Sequence, residues 1–241
     1  MTGTLTKEKR KSGNMNKDFS YSPFVSILLH TYKLITFEVN MIRSEYELEE
    51  EEKGDEKKPG QELLVERMME ARTILLSGEI NKELAERVIR QLILLESKSD
   101  EPIKVFIDSP GGDADAGFAI YDMMRFIKPE VYNIGMGLVA SAGALILLAS
   151  PKERRIALPN SHYLIHQPLS GIRGVATEIE IHAKELEKLR AKINKLISDE
   201  TGRPVEKVEQ ETDRDFWMNA EEAQEYGLVS RTIKSRSELG V

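Results

Sequence analysis

From residue 73 onward, apolar and polar positions alternate between two periods. Residues 73–77 (TILLS) are a short apolar run of strand length. Residues 82–97 follow, with Leu84, Val88, Leu92 and Leu95 spaced as one face of a helix. Asn81 stands before them as an N-cap, able to accept from the unpaired N–H groups of the first turn. Residues 103–108 (IKVFID) alternate as a strand, Ser109-Pro110-Gly111-Gly112 forms a turn, and a helix is expected at about 114–127. Further strands are expected at 131–136, near 154–157, at 162–165 and near 228–233, with helices from about Ser141 and at 219–226. The repeated β-α-β order predicts an α/β fold with a mostly parallel sheet flanked by helices.

Two segments admit more than one reading. Val131 to Ser150 carries no charge over twenty residues, long enough to cross a bilayer. Asn133, Gly135, Gly137 and Gly143 weaken a single helix there, so a buried strand, a tight turn and a buried helix are the preferred reading. Residues 175–201 predict the longest helix, with Ile179, His182, Leu186, Leu189, Ile193 and Leu196 along one face. It would be about 40 Å long at 1.5 Å per residue. It either projects to pack on another subunit or lies on the surface in the ordinary way. Gly202 and Pro204 end it.

The first sixty residues lack this periodicity, and charge sets them apart. Residues 1–40 carry +3, residues 41–60 carry −4 and the remainder −6, for a net −7 over 241 residues. Residues 1–60 are expected to be an N-terminal extension, disordered or removed by processing, with Met41 an alternative start and 45–58 a solvated acidic run. A secretory signal or an organelle leader competes with that reading; the apolar run at 24–39 is broken by His30, Lys33 and Glu38. Residues 61–241 are then one folded domain. The acidic balance argues against nucleic acid as the main partner. The chain contains no cysteine, which excludes disulfides, thiolate metal sites and a thiol nucleophile.

Nucleophilic chemistry therefore falls to serine, threonine or lysine. Ser141 lies in Val139-Ala140-Ser141-Ala142-Gly143, where a buried strand turns into a helix among small neighbours. Unpaired N–H groups and the positive end of the helix dipole meet there, and both can stabilise an oxyanion. By itself such a serine is more often a helix cap. Asp108-Ser109-Pro110-Gly111-Gly112 follows a strand directly and can form an anion nest, but it lacks a Walker lysine and G-x-G-x-x-G, and a plain turn accounts for it. His162 and His166 flank a strand rather than a helical H-E-x-x-H, which argues against zinc; Asp113 and Asp115 lack the rest of a calcium loop. His166 ends its strand where a loop begins, as suits a base entering a site. Asp213-Arg214-Asp215 is a charged turn before Phe216-Trp217, unremarked by itself.

Taken in order, SPGGDADAGFAIYDMM, GLVASAGALILLA, RRIALPN, IHQPLSG, ATEIEIHAKEL and TDRDFWMNAEEAQEYGLV resemble the proteolytic subunit of the Clp protease, over residues 67–233. The resemblance implies a ClpP/crotonase-like α/β fold, a spiral of βαβ units with a long projecting helix. It further implies a serine endopeptidase without metal or cofactor. It assigns Ser141 as nucleophile, His166 as general base and Asp215 as the residue orienting the histidine, at family-like spacings of 25 and 49 residues. It places the oxyanion donors at the N–H groups of Gly112 and Ala142. Asp113 and Ala114, in a strand after Gly112, and Pro168 and Leu169 are the walls expected to pair with substrate.

As partners it implies copies of its own chain or of a second subunit type in two stacked seven-membered rings, an AAA+ unfoldase, and unfolded polypeptides. Neither nucleic acid nor membrane is expected, and the location expected is cytoplasmic. The chain departs from the family's pattern at Ala142, where methionine is usual, at Ser170 for glycine and at Asp108 for asparagine. The acidic 45–58 segment falls where the family's axial loops begin. These departures motivate an alternative, a divergent subunit with a mainly structural or regulatory role in a mixed ring. A crotonase-type acyl-CoA enzyme would share the oxyanion hole but leaves the three residues together unexplained. Phe106 falls where an aromatic lines the family's docking groove, and core packing accounts for it equally.

Overall fold

The computed structural model of the chain describes residues 59–240. The expectations for the basic leader, Met41 and the acidic run lie outside the described residues. Pro59 and Gly60, which fall within the expected N-terminal extension, are the first residues of a helix, α1 (Pro59–Glu70). Proline's missing N–H and fixed φ suit that position.

The βα alternation then runs as the periodicity predicts: β1 (Thr73–Ser77), α2 (Lys82–Lys98), β2 (Ile103–Ser109), α3 (Ala114–Phe126) and β3 (Val131–Ala140). Asn81 caps α2 by accepting from Leu84 N at 2.8 Å. Leu84, Val88, Leu92 and Leu95 are buried beneath the helix, as their spacing requires. The N-cap of α3 is Asp113, whose carboxylate accepts from Ala116 N at 2.7 Å.

Next come α4 (Ala142–Leu147), β4 (Arg155–Ala157), β5 (His162–Ile165), α5 (Ala176–Thr201), α6 (Val205–Glu211), β6 (Phe216–Asn219), α7 (Ala220–Tyr226) and β7 (Arg231–Thr232). The uncharged stretch from Val131 is thus a strand, a turn at Ser141 and a short buried helix. No helix among the described residues is long and apolar enough to cross a membrane.

The strands run parallel in the order β1-β2-β3-β4-β7. β3 divides its pairing. Asn133–Gly135 pair with β4, whereas Leu138–Ala140 pair with β5, and β6 adds to β5 antiparallel. The division falls at a bulge where Gly137 takes φ +54. Asp108 Oδ1 accepts from Leu138 N at 3.0 Å across that bulge, and a Cβ on Gly137 would lie 2.6 Å from the same oxygen. The carboxylate at 108 therefore holds the bend that sends the end of β3 towards β5.

The main core lies between the sheet and its helices; a smaller cluster of Ile134, Ile156, Ile233 and Leu239 covers the other side of the sheet, joined by Phe106. Phe106 packs against that cluster while remaining partly exposed.

Tyr163 in β5 is fully buried over Gly135, where a Cβ would fall 2.4 Å from its hydroxyl. Burial pushes that phenol up to about 12. Ser161 Oγ donates to it at 3.0 Å. A glycine in β3 thus makes the space that seats β5 at its register.

The long helix α5 packs by its second half only. Ile193, Asn194 and Ile197 are buried, while Ile179 and Ile181 on the first half are exposed.

Candidate active site

Strand register brings the three predicted residues to one place. Ala140 pairs with Leu164, so Ser141 leaves β3 beside the end of β5. The Ser141 N–H donates to Leu164 O at 2.9 Å. Ile165 pairs with Phe216, so His166, just after β5, and Asp215, just before β6, emerge side by side. His166 Nδ1 lies 3.3 Å from Asp215 Oδ1. That is longer than the 2.7–2.9 Å of a close charge-assisted hydrogen bond. The imidazole is mostly buried at 14% exposure, the carboxylate open at 60%.

Ser141 has φ +54 and ψ −121, a conformation that non-glycine residues rarely hold. It occupies the N-cap position of α4, yet its side chain makes no capping bond. The bland reading of a helix cap therefore fails on geometry. The hydroxyl is left unspent on its own helix.

Two donors stand beside it. The N–H groups of Gly112 and Ala142 take no partner among the described residues. Ala142 is the first residue of α4, so its N–H is one that a helix leaves free. Gly112 sits at φ +144 in a single parallel bridge to Ile80. Asp113 N donates to Ile80 O at 2.7 Å and Ile80 N to Gly111 O at 2.8 Å, which spends the neighbouring groups and leaves the Gly112 N–H over.

The residue that seats this turn against the serine is Gly111, which the sequence reading passed over in favour of Gly112. A Cβ on Gly111 would lie 2.5 Å from Ser141 Cβ and 2.8 Å from Ala140 O, at a φ of +93. The signal was present in the glycine pair, but only the fold shows which glycine touches the serine. Gly111→Ala is expected to push the turn off Ser141 and cost about 10²–10³ in kcat for peptide hydrolysis, the scale of one lost oxyanion donor. Far-UV circular dichroism should remain that of the folded chain.

Ser141, Ala142, His166, Gly112, Asp113, Ala114, Pro168 and Leu169 all line one cleft of about 880 Å³; Asp215 stands behind the histidine and is not in its wall. Its far side is α5, with Leu186, Leu189 and Ile193. The wall at Asp113 and Ala114 differs from the strand expected there. No strand follows Gly112: Asp113 caps α3, which begins at Ala114. The two positive-φ glycines redirect the chain straight into a helix, so that wall presents a helix N-terminus rather than a pairing edge.

Residues not singled out hold the segment around His166 and Asp215. Gln167 N donates to Thr212 O and Gln167 Nε2 to Asp213 O, each at 2.6 Å. Thr212 is fully buried, its hydroxyl 2.8 Å from Asn194 Oδ1 on α5. Arg190 Nη2 donates to Asp213 Oδ1 at 3.0 Å. No hydrogen bond joins Ser141 Oγ to His166 among the described residues, though catalytic hydrogen bonds are often loose before substrate binds. No group of three or more His, Asp or Glu is placed to hold a metal ion among them.

Residues 56–236 match the Clp protease family. The chain belongs to that family. Its sequence is 66% identical over 177 residues to the ATP-dependent Clp protease proteolytic subunit 2 of Treponema denticola, covering 73% of this chain and 88% of that protein. It is 57% identical over 190 residues to the protein of the same description in Treponema pallidum, covering 78% and 96%. A solved mutant of the ClpP1 protein of Listeria monocytogenes superposes with a TM-score of 0.69 at 49% identity, over 73% of this chain and 99% of that one. The Clp fold expected from the resemblance is therefore the fold of this chain, and the family's proteolytic subunits are peptidases.

Proposed function

We propose that the chain is a serine endopeptidase subunit whose nucleophile is Ser141. The observation that carries this is the strained Ser141, uncapped and flanked by the free N–H groups of Gly112 and Ala142, leaving β3 beside the end of β5 that His166 follows. His166 takes the Ser141 proton as Oγ attacks a peptide carbonyl. The two N–H groups receive the developing oxyanion. Asp215 faces Nδ1, which holds the ring with Nε2 free for the serine and favours the cation that forms. The histidine then protonates the leaving amine, and water releases the acyl chain from Ser141. The apolar residues of α5 across the cleft admit apolar side chains.

The likeness to proteins described as ATP-dependent Clp protease subunits supports unfolded polypeptide, delivered by an AAA+ unfoldase, as substrate. Exposed Val175, just before α5, with Ile179 and Ile181 on its first half, forms an apolar surface suited to contact between stacked seven-membered rings. A second reading, a mainly structural subunit of a mixed ring, draws on the loose Ser141–His166–Asp215 arrangement.

Labelling separates the two. A fluorophosphonate offered to the purified assembly, alone and with any co-purifying subunit, is expected to add to Ser141, located by peptide mass mapping. An intact assembly left unlabelled at Ser141 overturns the peptidase reading.

A further inference from the structure

The loop between β5 and α5 carries a contact with no role in the chemistry above. Ser170 Oγ lies 2.8 Å from His182 Nε2, hydrogen-bonded to it across twelve residues. Ser170 is in the loop and His182 is on the second turn of α5; both line the cleft that holds Ser141. A hydroxyl donates to a bare imidazole nitrogen or accepts from a protonated one, so the tie survives either tautomer.

This contact is the second of two anchors. Gln167 is held by Thr212 O and Asp213 O, and Ser170 by His182. Pro168 and Leu169 run between them. Their backbone carbonyls and the Leu169 N–H take no partner among the described residues, and Leu169 is 82% exposed. A backbone stretch with free polar groups, fixed at both ends along the wall of a peptidase cleft, is a short rail on which an extended peptide can lie by main-chain pairing. Without the second anchor no hydrogen bond holds residues 168–174 among the described residues, and substrate must offset the ordering entropy of that loop when it binds.

We propose that Ser170 and His182 are positioning residues, which hold the Pro168–Leu169 rail in the conformation that receives substrate main chain. The proposal rests on the peptidase reading. It deepens it by assigning main-chain recognition to a tie outside the reacting groups. The tie acts on substrate binding, so it should appear in KM more than in kcat.

Ser170→Ala in the full chain is expected to raise KM about three- to tenfold for a peptide long enough to span the cleft, the scale of one net hydrogen bond. Ser170→Thr keeps the hydroxyl and should restore most of the loss. His182→Ala should match Ser170→Ala, and the double variant should be no worse than either, because the two remove one interaction. A KM unmoved in Ser170→Ala, a loss confined to kcat, or additive effects in the double variant would each overturn the proposal. Fluorophosphonate labelling of the unsubstituted assembly keeps the two readings apart. Without labelling at Ser141 the peptidase reading falls; with labelling, but with KM unmoved in Ser170→Ala, only the role of the tie falls.

Discussion

Ser141→Ala is expected to lower kcat for peptide hydrolysis by about 10⁵–10⁶, with KM within a few-fold of the unsubstituted assembly. The size follows from what is removed. Without the hydroxyl no acyl-enzyme can form, and the remaining donors support only the slow direct attack of water. At about 1.4 kcal/mol per factor of ten, the change is about 7–8 kcal/mol of transition-state stabilisation. Little of the loss can be laid to misfolding. Alanine keeps the Cβ that already abuts Gly111, and Ser141 spends no side-chain bond on its helix. The residue keeps the same φ of +54, a strain alanine tolerates no worse than serine. Peptide hydrolysis, with native mass as the check on assembly, measures it. In a mixed assembly, proteolysis unchanged by Ser141→Ala would transfer catalysis to the other subunit and leave this chain the structural role.

The parts of this architecture that repeat a period were legible in the sequence. β1, β2 and α2 stand where an apolar run, alternation or a 3/4 spacing put them, because each buries one face against a common core, and the long α5 does so over its second half. The elements that went unread lack such a face or are too short to show it. β6 is four residues after a charged turn, with only Met218 buried, and it exists because β5 offers an edge. α6 has one buried residue, Val208. α1 opens on a Pro-Gly that usually ends structure.

The site divides in the same way. Ser141 and His166 could be placed at strand ends from local pattern. Asp215 had no mark beyond its charge, because what qualifies it is an antiparallel pairing formed by residues some fifty positions apart. Gly111 and Asp108 act through contacts across the sheet, Gly111 against Ser141 and Asp108 against the bulge at Gly137. No local window contains both partners of either contact. The supposed strand after Gly112 failed for the converse reason: a helix cap at Asp113 was present in the local sequence and outweighs the family likeness at that wall.

Asp215→Asn is expected to bring the second large loss, about 10³–10⁴ in kcat, with KM little changed. The carboxylate faces His166 Nδ1 at 3.3 Å, so it favours the tautomer with the proton on Nδ1 and Nε2 free to accept from Ser141. An amide can present its NH₂ instead, which favours the proton on Nε2 and disarms the base. It also withdraws the negative charge that offsets the imidazolium formed during attack. The expected size tests the assembled site as well as the residue. A carboxylate 60% exposed interacts through water-like surroundings, where a unit charge pair is worth about 1 kcal/mol at 4 Å, far less than 10³–10⁴ requires. An effect of that size therefore needs the His166–Asp215 contact to shorten and lose water when the subunit assembles or substrate binds. A loss of tenfold or less would mean that Asp215 stays solvated in the working assembly and that Ser141 and the two N–H groups carry the catalysis. Fluorophosphonate labelling of Ser141 should slow in parallel with kcat. Trp217, the single tryptophan of the chain, sits two residues from the change and is partly exposed, so its emission reports whether β6 remains in place.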